Sequence, residues 1–246
     1  MLLFKRDVFG HFYFIKWLLT FIVGVFTYPF IRIFNKITLE GMENLEKYGD
    51  TNVLFVSNHQ TYFADAITLY HVFSRTKMAF ANNLNHPFYL LTPRMNSFYI
   101  AAEETMRSGV FPKLLAYAGA IQTQRTWRNK DQSVNRQVRF TDITNIGVAL
   151  DAGWVITFPQ GTTKPHAPVR RGIVHIIKKY KPIIIPLVID GFSDIFPKKG
   201  IFPKKWGSNL SVRFKEELHI NPSDDAEIIL QQIMDAIEQT PPKKPE

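Results

Sequence analysis

The sequence predicts an α/β fold, with a central mixed sheet flanked by helices and an N-terminal membrane-associated helical element. Three features indicate this class: apolar segments of strand length, helical segments that alternate with them, and a long apolar and aromatic stretch near the N-terminus. We divide the 246 residues into N-terminal hydrophobic helices, a main domain and a short tail, covering 1–40, 41–240 and 241–246.

The N-terminal element is the almost wholly apolar stretch at 8–34, which carries no charge from 17 to 31. Crossing a bilayer takes about 20 apolar residues, a length this stretch reaches if Lys16 snorkels to the interface. Basic residues at both ends, and Gly24 and Pro29 as helix breakers, favour a bent element in one leaflet. An internal core helix is the alternative, but aromatic residues around most of the circumference count against it.

Beyond residue 50, strand and helix patterns alternate. Apolar segments bounded by polar residues predict strands at 52–57, 97–102, 154–159 and 182–192. The last two lack polar alternation, so we expect them to be buried on both faces. Apolar residues at helical spacing predict helices at 61–73, 109–121, 142–153 and 224–239. Thr61 and Ser223 are the expected N-caps, and Gly153 is the expected C-cap.

Composition limits the chemistry and the partners. The chain has no cysteine, which excludes disulfides, thiolate nucleophiles and cysteine-ligated metals. Its 30 Lys and Arg residues outweigh 21 Asp and Glu residues, for a formal net charge of +9. That charge suits nucleic acid, anionic lipid headgroups or phosphorylated substrates. Nucleic acid does not explain the apolar N-terminus, so we predict no nucleic-acid partner. No cluster of His, Asp and Glu has metal-ligand spacing, so we predict no metal site.

A histidine and an aspartate lie between the first strand and the first helix of the main domain, in VSNHQTYFAD (56–65). Loops at the carboxyl ends of strands hold catalytic groups in α/β folds, and His59 is in such a loop. Asp65 would fix the imidazole tautomer and support the imidazolium that forms when the other nitrogen accepts a proton. The alternative is a plain loop histidine with a carboxylate that complements a helix N-terminus, and this spacing alone favours that alternative.

A second polar segment follows the strand at 154–159. Gly161 permits a tight turn, and exposed backbone amides there can receive an anion. Hydroxyl and basic side chains follow within ten residues: Thr162, Thr163, Lys164, Arg170 and Arg171. The two-glycine spacing of a nucleotide P-loop is missing. A solvated basic loop is the alternative interpretation.

Four segments in a fixed order resemble the motifs of the glycerolipid acyltransferase family, which includes lysophosphatidic acid acyltransferases. They are NHQTYFAD, GAIQTQR, FPQGTT and IIIPLVI, within roughly residues 45–195. The resemblance implies that His59 is the general base on an acceptor hydroxyl and that Asp65 orients it. Pro186 falls in the fourth, mainly structural motif. The residues that we assign to substrate binding are Arg125, Gln160, Gly161, Thr162, Thr163, Lys164 and Arg171.

Three departures from the family pattern affect these assignments. Five residues separate His59 from Asp65, where the family usually has four. An extra residue inside a regular helix would turn Asp65 by about 100°. The family's Phe-Pro-Glu-Gly-Thr-Arg is FPQGTT here, so Gln160 replaces a carboxylate and Thr163 an arginine. Residues 82–96 are extra material between the first two motifs. The missing positive charge would come from a neighbouring basic residue: Lys164, Arg170 or Arg171.

The resemblance predicts a membrane-associated enzyme that moves a fatty acyl group from acyl-CoA or acyl-carrier protein to a lysophospholipid hydroxyl. The thioester is a substrate, so we expect no cofactor. Lysophosphatidic acid is the first candidate acceptor, and an ornithine- or glycine-type aminolipid is the alternative. A non-catalytic protein that binds anionic lipid is the alternative from another class. We expect the cytoplasmic face of a membrane, because the thioester is in that compartment.

Overall fold

The structure, a computed structural model, describes residues 5–124, 128–129, 132–133 and 139–242. Within this part of the chain, seven strands form one sheet: β1 (Lys36–Glu40), β2 (Val53–Ser57), β3 (Ser97–Ala102), β4 (Ala120–Thr123), β7 (Trp154–Thr157), β8 (Ile183–Asp190) and β9 (Asn209–Phe214). Their order across the sheet is β1-β9-β8-β2-β7-β3-β4. A separate antiparallel pair is formed by β5 (Arg128–Asn129) and β6 (Gln132–Ser133).

The sheet is mixed, because β8 and β9 pair antiparallel while the other neighbours pair parallel. Strand β2 lies at its centre, where Val53 is opposite Trp154 on one side and Ile183 on the other. All five residues of β2 are buried, as a strand covered on both faces requires. The predicted fold class is confirmed.

Helices cover both faces of the sheet. They are α1 (Tyr13–Tyr28), α2 (Ala64–Arg75), α3 (Glu103–Met106), α4 (Val110–Tyr117), α5 (Phe140–Ala152), α6 (Gly172–Tyr180), α7 (Phe192–Ile195) and α8 (Ala226–Ala236). Alternate residues of β2 belong to two apolar clusters, with Phe55 packing in the cluster of α2 and Leu54 in that of α5, α6 and α8. Short 3₁₀ helices lie at Met42–Leu45 and Pro87–Leu91.

The four predicted strands and the predicted helices are present, with ends that shift by a few residues. The sequence did not predict β1 or β9, which pair with each other at one edge of the sheet. Residues 36–40 therefore form a strand of the sheet, directly after the N-terminal helical element. Both strands alternate polar and apolar residues, in KITLE and NLSVRF, and this alternation was the available signal.

Helix α1 has its polar and small residues on the inner face. Its buried residues are Lys16, Thr20, Gly24 and Thr27. Six of its large apolar side chains are exposed: Phe14, Ile15, Leu18, Ile22, Val25 and Phe26. A helix on the surface of a water-soluble protein has the opposite arrangement. We name the exposed residues of this list the outer face of α1.

Lys16 does not snorkel outward, which corrects that expectation. Its side chain is fully buried, with Nζ 3.4 Å from Asp7 Oδ2 and 4.5 Å from the centre of the Phe98 ring. Asp7 also accepts hydrogen bonds from the backbone N–H groups of Phe9 and His11. Burial lowers the pKa of Lys16 to about 8, although the Asp7 carboxylate opposes this. The charge therefore ties the start of α1 to the protein interior.

Gly24 and Pro29 do not break the N-terminal helix where the sequence suggested. Helix α1 runs through Gly24 without interruption, and Pro29 begins a π-helical turn, Pro29–Ile33, that continues it. A Cβ atom at Gly24 would lie 2.6 Å from Leu90 Cδ2, so glycine permits close packing on the 3₁₀ helix Pro87–Leu91. The segment 82–96, which is extra relative to the family pattern, thus packs against α1.

A buried histidine connects α1 to the main domain. Thr27 Oγ1 donates its hydrogen to Val23 O, so His71 Nε2–H donates to Thr27 Oγ1 at 2.8 Å. His71 Nδ1 then accepts a hydrogen bond from the Tyr89 hydroxyl at 2.9 Å. Burial lowers the pKa of His71 to about 3, which keeps the imidazole neutral in this network.

We expect His71 to make the fold acid-sensitive. Below pH 6.5 the unfolded chain binds a proton at His71 that the folded chain refuses until about pH 3, so stability falls as the pH falls through this window. The contribution is roughly 1.4 kcal/mol per pH unit. Urea unfolding in one detergent, from neutral to acid pH, should therefore show a shallower pH slope for His71→Gln than for wild type. His175→Gln, a change at an exposed histidine on α6, should keep the wild-type slope. Parallel profiles for wild type and His71→Gln would contradict this.

Candidate active site

The loop after β2 is fixed to the neighbouring strand by side chains on both sides of His59. The buried Asn58 side chain donates to Ile189 O and accepts from Ile189 N, each at 2.8 Å. Gln60 Oε1 accepts from the N–H groups of Phe192 and Ser193, at 2.7 and 3.1 Å, and so caps the start of α7. His59 is therefore held between two anchored residues at the carboxyl end of a central strand.

His59 and Asp65 form a hydrogen-bonded pair, with 2.8 Å between His59 Nδ1 and Asp65 Oδ2. Asp65 is fully buried and accepts three further hydrogen bonds. The N–H groups of Gln60 and Thr61 donate to Oδ2 at 2.6 and 3.0 Å, and the Thr61 hydroxyl donates to Oδ1 at 2.6 Å. Each carboxylate oxygen thus has a partner, as a buried charge requires.

The extra residue between His59 and Asp65 lies in the loop and not in the helix. Helix α2 begins at Ala64, so only one helical residue precedes Asp65. Thr61 is therefore not the N-cap, which corrects that prediction, and the N-cap residue is Phe63. The Thr61 hydroxyl instead accepts a bond from the Asp65 N–H at 3.2 Å while it donates to the carboxylate. The expected rotation of Asp65 away from His59 does not occur.

The imidazole of His59 stacks on the ring of Phe158, with 4.0 Å between ring centres and 22° between planes. Its side chain is 14% exposed. Because Nδ1 faces a carboxylate, the proton of the neutral imidazole is on Nδ1, and Nε2 keeps a lone pair. Among the described residues, Nε2 has no hydrogen-bond partner. This geometry leaves Nε2 able to accept a proton while the Asp65 carboxylate orients the ring.

A mostly apolar cavity of about 170 Å³ adjoins His59. Helix α1 contributes Val23 and Gly24 to its wall, helix α2 contributes Ile67, and Ile100 and Leu114 line the other side. His59, Phe158 and Gly161 are also lining residues. An elongated apolar group that enters this cavity lies next to the candidate base.

The turn after β7 brings only part of the predicted binding loop to the cavity. Gly161 lines it and has a φ of 65°, which favours glycine, and its N–H bonds Phe158 O at 2.9 Å. Gln160 is buried, and its amide donates to Ala167 O at 2.8 Å and to Gln239 Oε1 at 3.3 Å. Gln160 is not among the lining residues, and this placement favours a structural role for its side chain.

The predicted basic groups are dispersed. Lys164 is exposed, and its N–H bonds Thr162 Oγ1 at 3.3 Å. Arg171 forms an ion pair with Glu227 on α8, so it does not reach the cavity. Arg170 donates from Nε to Gln160 O at 3.3 Å. Thr163 is partly exposed. Arg125 lies outside the described residues, and its role stays a prediction.

The sequence model of the family described as Acyltransferase matches residues 36–190, more than half of the chain. The chain belongs to this acyltransferase family. The crystal structure of the 1-acyl-sn-glycerophosphate (LPA) acyltransferase PlsC from Thermotoga maritima is similar, with a TM-score of 0.53 and 16% identity. The similarity covers 89% of this chain and 77% of that one, and at this identity it shows a shared fold. The chain matches none of the curated proteins with which it was compared.

Sequence reasoning missed two residues that position His59 and one that lies near the cavity wall. Asn58 and Gln60 flank His59 and anchor its loop, and their amide side chains in a strand-to-helix loop were the available signal. Lys198 lies with Nζ 5.9 Å from the centre of the Tyr62 ring, and Tyr62 lines the cavity. A doubled Phe-Pro-Lys-Lys at 196–199 and 202–205 was the signal for this third residue.

We expect Asp65→Asn to lower the stability of the folded acyltransferase much less than Asp65→Ala does. Alanine leaves the N–H groups of Gln60 and Thr61 without an acceptor, and each unsatisfied buried group costs about 1–3 kcal/mol. The asparagine oxygen can occupy the place of Oδ2 and keep both bonds. Urea unfolding in one detergent should give a free energy of unfolding about 3 kcal/mol lower for Asp65→Ala, and at most half that loss for Asp65→Asn. Equal losses would mean that the carboxylate does not hold the loop.

Proposed function

We propose that this acyltransferase moves a fatty acyl group from an acyl thioester to the hydroxyl of a lysophospholipid, with His59 as the general base. The observation that carries the proposal is the bonded His59–Asp65 pair beside an apolar cavity. An apolar cavity with a few convergent polar groups suits a fatty chain whose reacting end is polar. The thioester donor is acyl-CoA or acyl-carrier protein.

The chemistry needs no covalent enzyme intermediate. The acceptor hydroxyl loses its proton to His59 Nε2 as its oxygen attacks the thioester carbonyl carbon. The carbon–sulfur bond then breaks, an ester bond remains, and the imidazolium returns the proton to the leaving sulfur. Asp65 holds the ring by Nδ1 and stabilises the imidazolium while the proton is on it. The absence of cysteine from the chain agrees with direct transfer.

Lysophosphatidic acid is our first acceptor. Gly161 lines the cavity together with His59, and Thr162 and Lys164 follow it in the chain. Thr163 stands where the resemblance expects arginine, so we include aminolipids that lack a glycerol phosphate as the alternative acceptor class. The cations that we propose for an acceptor phosphate are Lys164 and Lys198.

We also propose that the enzyme attaches to one leaflet at the cytoplasmic face of a membrane. Tyr13–Ile33 is long and apolar enough to cross a bilayer by length and composition. However, its inner face packs on the main domain through Lys16 and Thr27, so only its outer face is available to lipid. Partial insertion is compatible with both faces of the helix. The outer apolar side chains enter the acyl region of the leaflet, and the inner polar groups keep their protein partners.

The activity test measures thiol release from acyl-CoA and acyl-carrier protein with a panel of lysolipids in detergent micelles. His59→Ala should lower the rate of thiol release by about a hundredfold or more, as expected for the loss of a general base. Asp65→Asn should lose less, because the loop keeps its hydrogen bonds. His175→Ala, at an exposed histidine outside the cavity, should match wild type.

The lysolipid that supports turnover is the acceptor. If only an aminolipid supports turnover, the aminolipid and not lysophosphatidic acid is the acceptor of this enzyme. If protein that binds vesicles normally releases no thiol with any pair of thioester donor and lysolipid acceptor, catalysis is rejected. The non-catalytic lipid-binding alternative would then remain.

The membrane test replaces two residues on the outer face of α1. Ile22→Asp/Val25→Asp should reduce binding to phosphatidylcholine vesicles by about tenfold or more, because each buried aliphatic side chain contributes about 1.5–3 kcal/mol. The matched control is Val148→Asp/Ile228→Asp, which alters exposed apolar residues on the opposite side of the sheet. Vesicle sedimentation measures both. Equal binding by all three proteins would show that the outer face does not contact lipid.

A further inference from the structure

Two short repeats lie next to the end of the N-terminal helical element. Phe-Pro-Lys-Lys occurs at 196–199 and again at 202–205, followed by Trp206. We name residues 197–206 the lysine loop. All four of its basic side chains are exposed, and among the described residues none of them forms an ion pair: Lys198, Lys199, Lys204 and Lys205.

Two aromatic residues of the lysine loop extend the apolar outer face of α1. Phe202 and Trp206 are 60% and 53% exposed. The Phe202 ring centre lies 5.8 Å from that of Phe26, and the Trp206 ring centre lies 4.7 Å from that of Phe34. Exposed Ile33 and Phe34 continue the same surface. A contiguous apolar surface of this kind, bordered by basic residues, is unusual on a protein that contacts only water.

Main-chain hydrogen bonds hold the lysine loop in place near both of its ends. Tyr62 N donates to Lys198 O at 2.8 Å, and Lys204 N donates to Ile195 O at 2.7 Å. Immediately after the loop, Gly207 N donates to Phe34 O at 2.8 Å. The loop is therefore fixed to the cavity wall through Tyr62 and to the N-terminal element through Phe34.

We propose that the lysine loop is a docking surface for anionic phospholipid headgroups. Phe202 and Trp206 insert beside the outer face of α1, at the depth where aromatic side chains prefer the membrane interface. The four ammonium groups then lie at headgroup level, where each basic residue near an anionic surface strengthens binding. This proposal rests on the proposed attachment of α1 to a membrane and adds a preference for the charge of the lipid.

The docking surface also orients the active site. The Tyr62–Lys198 bond joins the loop to a residue that lines the cavity, and Gln60 caps α7 directly before the loop. Contact of the loop with headgroups therefore places the His59 side of the cavity near the membrane surface, where a lysolipid resides. The α6 helix, on the other side of the sheet, remains away from the lipid.

The test compares vesicles of phosphatidylcholine with matched vesicles that contain phosphatidylglycerol, using full-length protein. Lys204→Gln/Lys205→Gln should weaken binding to the phosphatidylglycerol vesicles by about tenfold or more, and should leave binding to the neutral vesicles unchanged. The preference of wild type for anionic vesicles should shrink at high salt. The matched control is Lys178→Gln/Lys179→Gln, an adjacent exposed pair at the end of α6, which should behave as wild type.

Two outcomes would overturn the docking proposal. In one, the loop variant binds both vesicle types as strongly as wild type does. In the other, the loop variant loses affinity equally for the neutral and the anionic vesicles. Thiol release in detergent micelles, measured on the same proteins, separates this proposal from the proposed activity. A charge preference that depends on the loop, without any thiol release, supports the docking surface and rejects the acyl transfer.

Discussion

The carboxylate of Asp65 is the group on which the geometry of the site depends. It is fully buried, and it receives hydrogen bonds from the imidazole of His59, two backbone N–H groups and the Thr61 hydroxyl. A buried charge without such partners would be too costly to keep, so the loop must close around it. One carboxylate therefore sets the conformation of the loop, the start of α2 and the orientation of the His59 imidazole.

The second constraint is the orientation of α1. Lys16, Thr20 and Thr27 face inward, where Asp7 and His71 bind Lys16 and Thr27, so the large apolar side chains must face outward. These inward bonds fix the rotation of the helix about its axis more firmly than apolar packing would, because buried polar groups require specific partners. The same helix lines the cavity with Val23 and Gly24. The element proposed to contact lipid is thus also a wall of the candidate acyl site.

Site and surface are connected through a short series of contacts. Asn58 and Gln60 anchor the loop of His59 to β8 and α7, and the lysine loop follows α7 directly. Gln160, although in a motif of the site, packs inside against the segment at Gln239. Neighbouring residues of this turn therefore differ in position: Gly161 lines the cavity, while the side chain of Gln160 packs in the protein interior.

The sequence by itself determined the α/β class and the four main strands, and it indicated His59 and Asp65 as candidate site residues, because apolar periodicity and motif order are local properties of the chain. Only the tertiary structure decided whether five intervening residues still allow that pair, since the answer depends on α2 beginning at Ala64. It also decided that Lys16 is internal and that Arg171 pairs with Glu227. The direction of a long polar side chain depends on partners distant in sequence, and a one-dimensional pattern does not contain them.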